Sequence, residues 1–109
     1  MQSTVPATIA PKTKTLRVVL FNGTSTVGIT NVFEKNYKEK MPNTEITDKD
    51  NAKNKTYDKT LIIDLTTSNK EETTALSKSI GAEISSLPAG EVKPPNADIL
   101  IIVGKDKSK

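Results

Sequence analysis

The 109-residue chain contains no cysteine and no histidine, and only 4% of its residues are aromatic. The lack of cysteine excludes disulfides and thiol chemistry, and the lack of histidine removes the usual zinc ligands and the base of a histidine-dependent triad. Hydrophobic residues make up only 34% of the chain. The sequence contains no run of about 18 apolar residues, the length that a transmembrane helix needs. These features indicate one small domain with a thin core.

The charge of the chain is mildly basic. Lysine and arginine number 16 against 13 acidic residues, for a formal net charge of +3, and Arg17 is the single arginine. Because proteins that read nucleic-acid sequence rely on arginine for bidentate contacts, this composition disfavours sequence-specific DNA binding. Two interpretations of the lysines remain open: a solvated surface that keeps the domain soluble, or a mild attraction to an anionic polymer or membrane surface.

Apolar and polar segments alternate in a pattern that predicts three regions. Residues 1–15 are rich in Thr, Pro and Lys and predict a flexible linker, residues 16–106 predict the folded domain, and residues 107–109 predict a charged tail. Within the domain the order is strand, helix, strand, strand, helix, strand. The predicted strands are 16–21, 44–47, 60–66 and 98–104, and the predicted helices are 26–40 and 69–80, with a short edge strand at Ile84 as a further option.

Apolar spacing predicts which faces of the two helices are buried. The first helix presents Ile29, Val32, Phe33 and Tyr37, and the second presents Ala75, Leu76 and Ile80 before Gly81 ends it. The element order predicts an α+β fold: a βαββαβ two-layer sandwich of ferredoxin-like or similar type. Its four-stranded sheet would carry both helices on one face and less cover on the other.

The strand-to-helix turn after residue 21 is the candidate binding site. Gly23 to Thr30 has the glycine spacing of a P-loop, but Ile29 stands where that motif needs a lysine to neutralise phosphate charge, so nucleotide hydrolysis is not expected. A helix N-terminus still attracts anions. Asn22, Gly23, Thr24 and Gly28 are therefore candidates for loose binding of a phosphate or carboxylate. The alternative is that Gly23 and Gly28 serve a tight turn and close helix–strand packing.

Acidic residues that could serve a small enzyme are few. The candidates are Asp48 with Asp50, Asp64 inside an apolar strand, and Glu71 with Glu72. Adjacent acids on a helix point in different directions, so Glu71 and Glu72 fit helix capping better than catalysis. We expect no catalytic residues, no metal site and no cofactor.

Several of these segments together resemble the LytR C-terminal domain family. The run LRVVLFNGTSTVG from Leu16 to Gly28 is similar to the family's opening strand and Asn-Gly-Thr turn, with matches at Asn22, Gly23, Thr24 and Gly28. Tyr57 to Thr60 resembles the family's entry to its middle strand, Ile80-Gly81 the end of its second helix, and Ala97 to Asp106 its terminal strand. The resemblance covers residues 16–106.

The resemblance implies a non-catalytic accessory module of a cell-envelope protein that attaches glycopolymers to peptidoglycan. Its neighbour would be a membrane-anchored LytR–CpsA–Psr catalytic domain upstream, outside the bacterial cytoplasm. Peptidoglycan or an anionic wall polymer would be its binding partner. The alternative is a small basic nucleic-acid-binding α+β domain, because RNA-recognition domains share this element order. Such domains stack bases on aromatic side chains of the sheet, and the aromatic residues here are Phe21, Phe33, Tyr37 and Tyr57.

Overall fold

The computed structural model describes residues 15–107. The predicted linker, apart from Thr15, and the predicted tail, apart from Lys107, lie outside the described residues. The elements in chain order are β1 (Leu16–Asn22), α1 (Ile29–Tyr37), β2 (Thr44–Asn51), β3 (Leu61–Asp64), α2 (Lys70–Ile80), β4 (Glu83–Ile84) and β5 (Ile99–Val103). One turn of 3-10 helix follows α1 at Lys38–Lys40 and another follows β5 at Lys105–Lys107.

The strands form one mixed sheet in the order β2-β1-β5-β3-β4. β1 runs parallel to β2 and to β5, β3 runs antiparallel to β5, and β4 runs parallel to β3. Each helix therefore connects two neighbouring parallel strands, and β5 lies between the two βαβ units. All five residues of β5 are buried, as their continuous apolar run indicates for a central strand.

The α+β class is confirmed, but the prediction of four strands is wrong. A fifth strand, β4, pairs Glu83 with Leu61 and Ile84 with Ile62, which confirms the short edge strand that the sequence left as an option at Ile84. It is only two residues long and exposed, so it leaves no periodic signal. In the predicted split arrangement another strand would separate the strands of each βαβ unit. Here β1 and β2 are direct neighbours, as are β3 and β4.

Both helices pack on the same face of the sheet. Ile29 and Phe33 of α1 share one buried cluster with Leu76 and Ile80 of α2 and with alternate residues of β1 and β5. The predictions that Val32 and Ala75 belong to the buried faces are wrong, because Val32 is 41% exposed and Ala75 is also exposed.

The opposite face of the sheet is covered by loops. A second cluster there contains Val19 and Phe21 of β1 and Leu100 and Ile102 of β5, with Ile63, Ala52 and Ala97. Tyr57, Leu61, Leu65 and Leu87 pack against its margin. The expectation of a less covered face is thus corrected: connecting segments, which have no helical periodicity, complete the second layer.

The ends of the helices depend on two glycines in left-handed backbone conformation. Gly28 has φ +84 and precedes α1, so this helix begins three residues later than predicted. Gly81 has φ +69 and ends α2, as its position after the last apolar residue predicts.

An ion pair between Arg17 and Asp98 joins the beginnings of two central strands, β1 and β5. The carboxylate of Asp98, which is 2% exposed, accepts hydrogen bonds from Arg17 N at 2.9 Å and from Nε and Nη2 of the same residue at 3.3 Å each. The single arginine of the chain therefore ties the start of β1 to the residue before β5.

Candidate functional site

The predicted turn is held by a network of short-range hydrogen bonds. Asn22 Oδ1 accepts from the backbone N and from Oγ1 of Thr24, both at 2.8 Å, while Asn22 Nδ2 donates to Thr26 O at 2.9 Å. Thr26 N in turn donates to Thr24 Oγ1 at 3.0 Å. Asn22 is 8% exposed and Thr24 is 1% exposed. These two side chains, predicted as binding groups, therefore form their hydrogen bonds within the turn itself.

Gly23 is enclosed by distant parts of the chain. A Cβ atom at this position would lie 2.7 Å from Tyr57 Cδ2, 2.8 Å from Ile102 Cγ2 and 3.0 Å from Val103 O. Gly23 N also donates to Val103 O at 2.9 Å, and Gly23 O accepts from Tyr57 N at 3.1 Å. This glycine joins the end of β1 to the end of β5 and to the Tyr57 loop.

A cleft of about 500 Å³ opens beside the turn, and Asn22, Thr24 and Gly28 are among its lining residues. The structure thus brings three of the four predicted site residues to one cleft, whereas Gly23 does not line it. Gly28 O accepts from the backbone N of Asn31 and Val32 at 3.1 and 3.2 Å, which forms the first turn of α1.

The cleft contains two lysines in different states. Lys49 forms an ion pair with Glu34 and donates to Asn31 Oδ1 at 2.9 Å. Lys55 forms no ion pair with any residue in 15–107. Thr30 also lines the cleft; it is 9% exposed, and its hydroxyl has no hydrogen-bond partner among the described residues. An ammonium, a hydroxyl and a helix N-terminus can together attract an anionic group.

A second junction lies where the Tyr57 loop meets the end of β5. Thr60 N and Oγ1 donate to Asp106 Oδ1 at 3.1 and 2.8 Å, and Gly104 N donates to Thr60 Oγ1 at 3.0 Å. Lys105 N and Asp106 N donate to the carbonyls of Tyr57 and Asp58. Thr60 is fully buried. Two segments that carry the family resemblance therefore meet here and hold the backbone together.

Glu91 is a buried acid that no sequence pattern marks. It is 8% exposed and accepts hydrogen bonds from Lys53 N at 2.8 Å, Asn54 N at 3.1 Å and the Tyr57 hydroxyl at 2.8 Å. It thereby joins two of the loops that cover the sheet. Its position in a Pro-rich connection, with no apolar periodicity around it, gave no signal.

The Tyr57 hydroxyl provides a test of this loop junction by pH. Burial, the hydrogen bond to Glu91 and the negative charge of that carboxylate raise the pKa of Tyr57 from its ordinary 10 to about 12. The folded protein holds this proton more tightly than the unfolded chain does. Stability from this group is therefore full below about pH 10 and falls as the pH rises towards about 12.

We expect the urea midpoint of the wild type to fall more steeply between about pH 10 and about pH 12 than that of Tyr57→Phe, which has no proton to lose. Lysines also titrate in this range, so the difference between the two proteins is the informative quantity. Parallel pH profiles would contradict the assignment.

Three of the candidate carboxylates, Asp48, Asp50 and Asp64, accept hydrogen bonds from backbone N–H groups. Asp64 Oδ2 accepts from Asn69 N at 2.8 Å and Asp64 Oδ1 from Thr66 N at 3.3 Å, which orders the segment before α2. Glu71 and Glu72 are exposed in the first turn of that helix. No group of three or more acidic side chains that could hold a metal ion occurs within residues 15–107. Neither α1 nor α2, the α-helices of this range, has the length and apolar composition of a membrane-spanning segment.

Comparison with known proteins gives one loose structural likeness. No protein-family model matches the chain, and no curated protein matches it in sequence. The chain is similar to the solution structure of the C-terminal domain of RV0431, with a TM-score of 0.46 and 15% sequence identity over 95% of this chain and 84% of that one. At this TM-score and identity, the likeness carries no argument about function.

Proposed function

We propose that this chain is a non-catalytic accessory module of a cell-envelope protein that attaches glycopolymers to peptidoglycan. One observation carries the proposal: the segments that resemble LytR C-terminal domains hold the ends of β1 and β5 in place. Asn22 and Thr24 close the turn after β1, and Thr60 and Asp106 close the junction after β5. Matches at residues that hold a backbone together are matches of fold, and this supports placing the chain with that kind of module.

The role of the acidic side chains supports a binding module over an enzyme. Asp64, Asp98, Asp106 and Glu91 all accept hydrogen bonds from backbone N–H groups. A catalytic carboxylate needs access to a substrate, whereas these groups are engaged in holding loops and strand ends.

The cleft beside the turn supports an anionic ligand. Lys55, which forms no ion pair within residues 15–107, the Thr30 hydroxyl and the N-terminus of α1 favour negative charge, whereas Asp50 also lines the cleft and opposes it. The net charge of +3 adds a weak general attraction. We propose that the module works outside the cytoplasm, next to a LytR–CpsA–Psr catalytic domain, and that it binds an anionic wall polymer or is positioned against peptidoglycan.

The nucleic-acid alternative receives no support from the aromatic residues on the loop-covered face. Phe21 is 8% exposed beneath the loops, and the Tyr57 hydroxyl is bonded to Glu91. Base stacking needs an open aromatic surface, and among the described residues of this face we find none. Nucleic acid therefore enters only as an outcome of the test.

Cosedimentation with purified peptidoglycan, with and without attached teichoic acid, tests the binding proposal. We expect retention at low salt by the polymer that carries phosphate and release at high salt, because screening weakens surface attraction. Lys55→Glu should reduce retention several-fold. Lys35→Glu is the control and should reduce it less, because it makes the same charge change at an exposed position that does not line the cleft.

No retention by either polymer at low salt would overturn the binding proposal. Equal losses in the two lysine variants would remove the cleft as the site and leave only a general charge effect. Preferential retention on mixed-sequence RNA oligonucleotides would favour the nucleic-acid alternative.

A further inference from the structure

The outer edge of the sheet at β2 is long and exposed. β2 spans eight residues, and six of them are exposed, while the opposite edge strand β4 spans two. An open edge of this length presents unpaired backbone groups that can pair with a strand of another molecule.

The direction of the backbone groups in β2 follows from one hydrogen bond. Ala52 N donates to Asn22 O of β1 at 3.0 Å. Since N–H groups alternate between the two sides of a strand, those of Asp48 and Asp50 also face β1. The N–H groups of Lys49 and Asn51 therefore face the open edge.

Both of these outward N–H groups are occupied by side chains of the same strand. Lys49 N donates to Asp48 Oδ1 at 2.9 Å, and Asn51 N donates to Asp50 Oδ1 at 2.8 Å. Each carboxylate belongs to the preceding residue, and both contacts are exposed to solvent. The edge therefore offers two blocked donors and two negative charges.

We propose that Asp48 and Asp50 prevent β2 from pairing with β2 of a second copy of this chain. Two copies related by a twofold axis would pair antiparallel. Pairing centred on Lys49 would need its outward N–H, which Asp48 occupies. It would also place Asp48 of one copy opposite Asp50 of the other, and like charges directly opposite on paired strands are destabilising.

The sequence of β2 is otherwise suited to pairing. The strand continues past a register shift between Val18 and Val19 of β1, and its first half contains the β-branched residues Thr44, Ile46 and Thr47. The two aspartates are thus the side chains that occupy the outward N–H groups of this edge.

Sedimentation velocity of the full chain over a range of concentrations tests the proposal. We expect the wild type to be monomeric and Asp48→Val/Asp50→Val to form dimers at least about tenfold more tightly, because both the acceptors and the charges are lost. Glu71→Val/Glu72→Val is the matched control: it removes two exposed acids from α2 and adds the same apolar side chains away from the edge.

Amide hydrogen exchange identifies the surface that dimerises. We expect new protection at residues 44–51 in the dimer of the valine variant, at the amides of Lys49 and Asn51 in particular. Asp48→Asn/Asp50→Asn keeps an acceptor oxygen but removes the charge, so it should dimerise to an intermediate degree; it also supplies the readout if the valine variant does not fold.

Four results would overturn the proposal. The first is that the folded edge variants stay monomeric at the highest concentration reached. The second is that the α2 control dimerises as strongly as the edge variants. The third is that a dimer of the edge variants shows its exchange protection outside residues 44–51. A wild-type dimer with protection at residues 44–51 would overturn the proposal as well.

Discussion

Replacing Gly104 by alanine is expected to lower the free energy of unfolding by roughly 3 kcal/mol. A Cβ atom at this position would lie 2.5 Å from Lys59 C, 2.6 Å from Lys59 O and 2.9 Å from Lys59 N. These are backbone atoms and cannot rotate away, so the segment before β3 and the segment after β5 must move apart. Separation would also break the hydrogen bond from Gly104 N to Thr60 Oγ1. The loss is large for a domain whose total stability is of the order of 5–15 kcal/mol.

Urea unfolding followed by circular dichroism measures this loss, with Gly90→Ala as the matched control. A Cβ atom at Gly90 meets no atom within 4 Å, and its only cost is the left-handed backbone at φ +89, about 1 kcal/mol. If the two alanine variants lose the same stability, the close approach between Gly104 and Lys59 does not constrain the fold as described.

Phe33→Ala is expected to lower the free energy of unfolding by about 3–5 kcal/mol. The Phe33 ring is completely buried between α1 and the sheet and stacks on Tyr37 with ring centroids 4.9 Å apart. Among the described residues, Phe33 is the one aromatic residue of the buried cluster between the helices and the sheet, and the partly buried Tyr37 packs against it. The surrounding backbone is held by the sheet and can collapse only partly into the cavity.

Val32→Ala is the control for Phe33→Ala, since Val32 is the preceding residue of the same helix and is 41% exposed. We expect its effect to stay within about 0.5 kcal/mol. Equal losses in the two variants would mean that α1 is rotated about its axis relative to the structure, with Val32 on the buried face that apolar spacing alone predicts.

Phe33 and Val32 show which parts of a buried helix face apolar spacing can predict and which it cannot. Spacing of apolar residues identified α1 and α2 and placed Phe33, Leu76 and Ile80 on buried faces. It also assigned Val32 and Ala75 to those faces, because an apolar stripe of about 100° on a helix does not show which residues lie at its margins. Thr30 and Thr73 are buried instead, and only the position of the neighbouring strands decides this.

The candidate site likewise contains some contacts that local sequence could predict and others that it could not. The Asn-Gly-Thr run marked the turn, and its two interpretations, ligand binding or tight packing, could not be separated from the residues alone. The contacts of Asn22 and Thr24 are with residues two to four positions away, so they were open to prediction. The contacts of Gly23 are with Tyr57, Ile102 and Val103, and no local rule identifies those partners.

The sequence by itself determined the strong elements of this protein: the α+β class, the central buried strand β5 and the end of α2 at Gly81. Continuous burial and helix termination leave a mark on neighbouring residues. Only the tertiary structure decided the fifth strand, the strand order, and the junctions of Thr60 with Asp106 and of Lys53 with Glu91. Their partners are 46 and 38 residues apart, and hydrogen bonds between such distant residues impose no periodicity on the chain around either one.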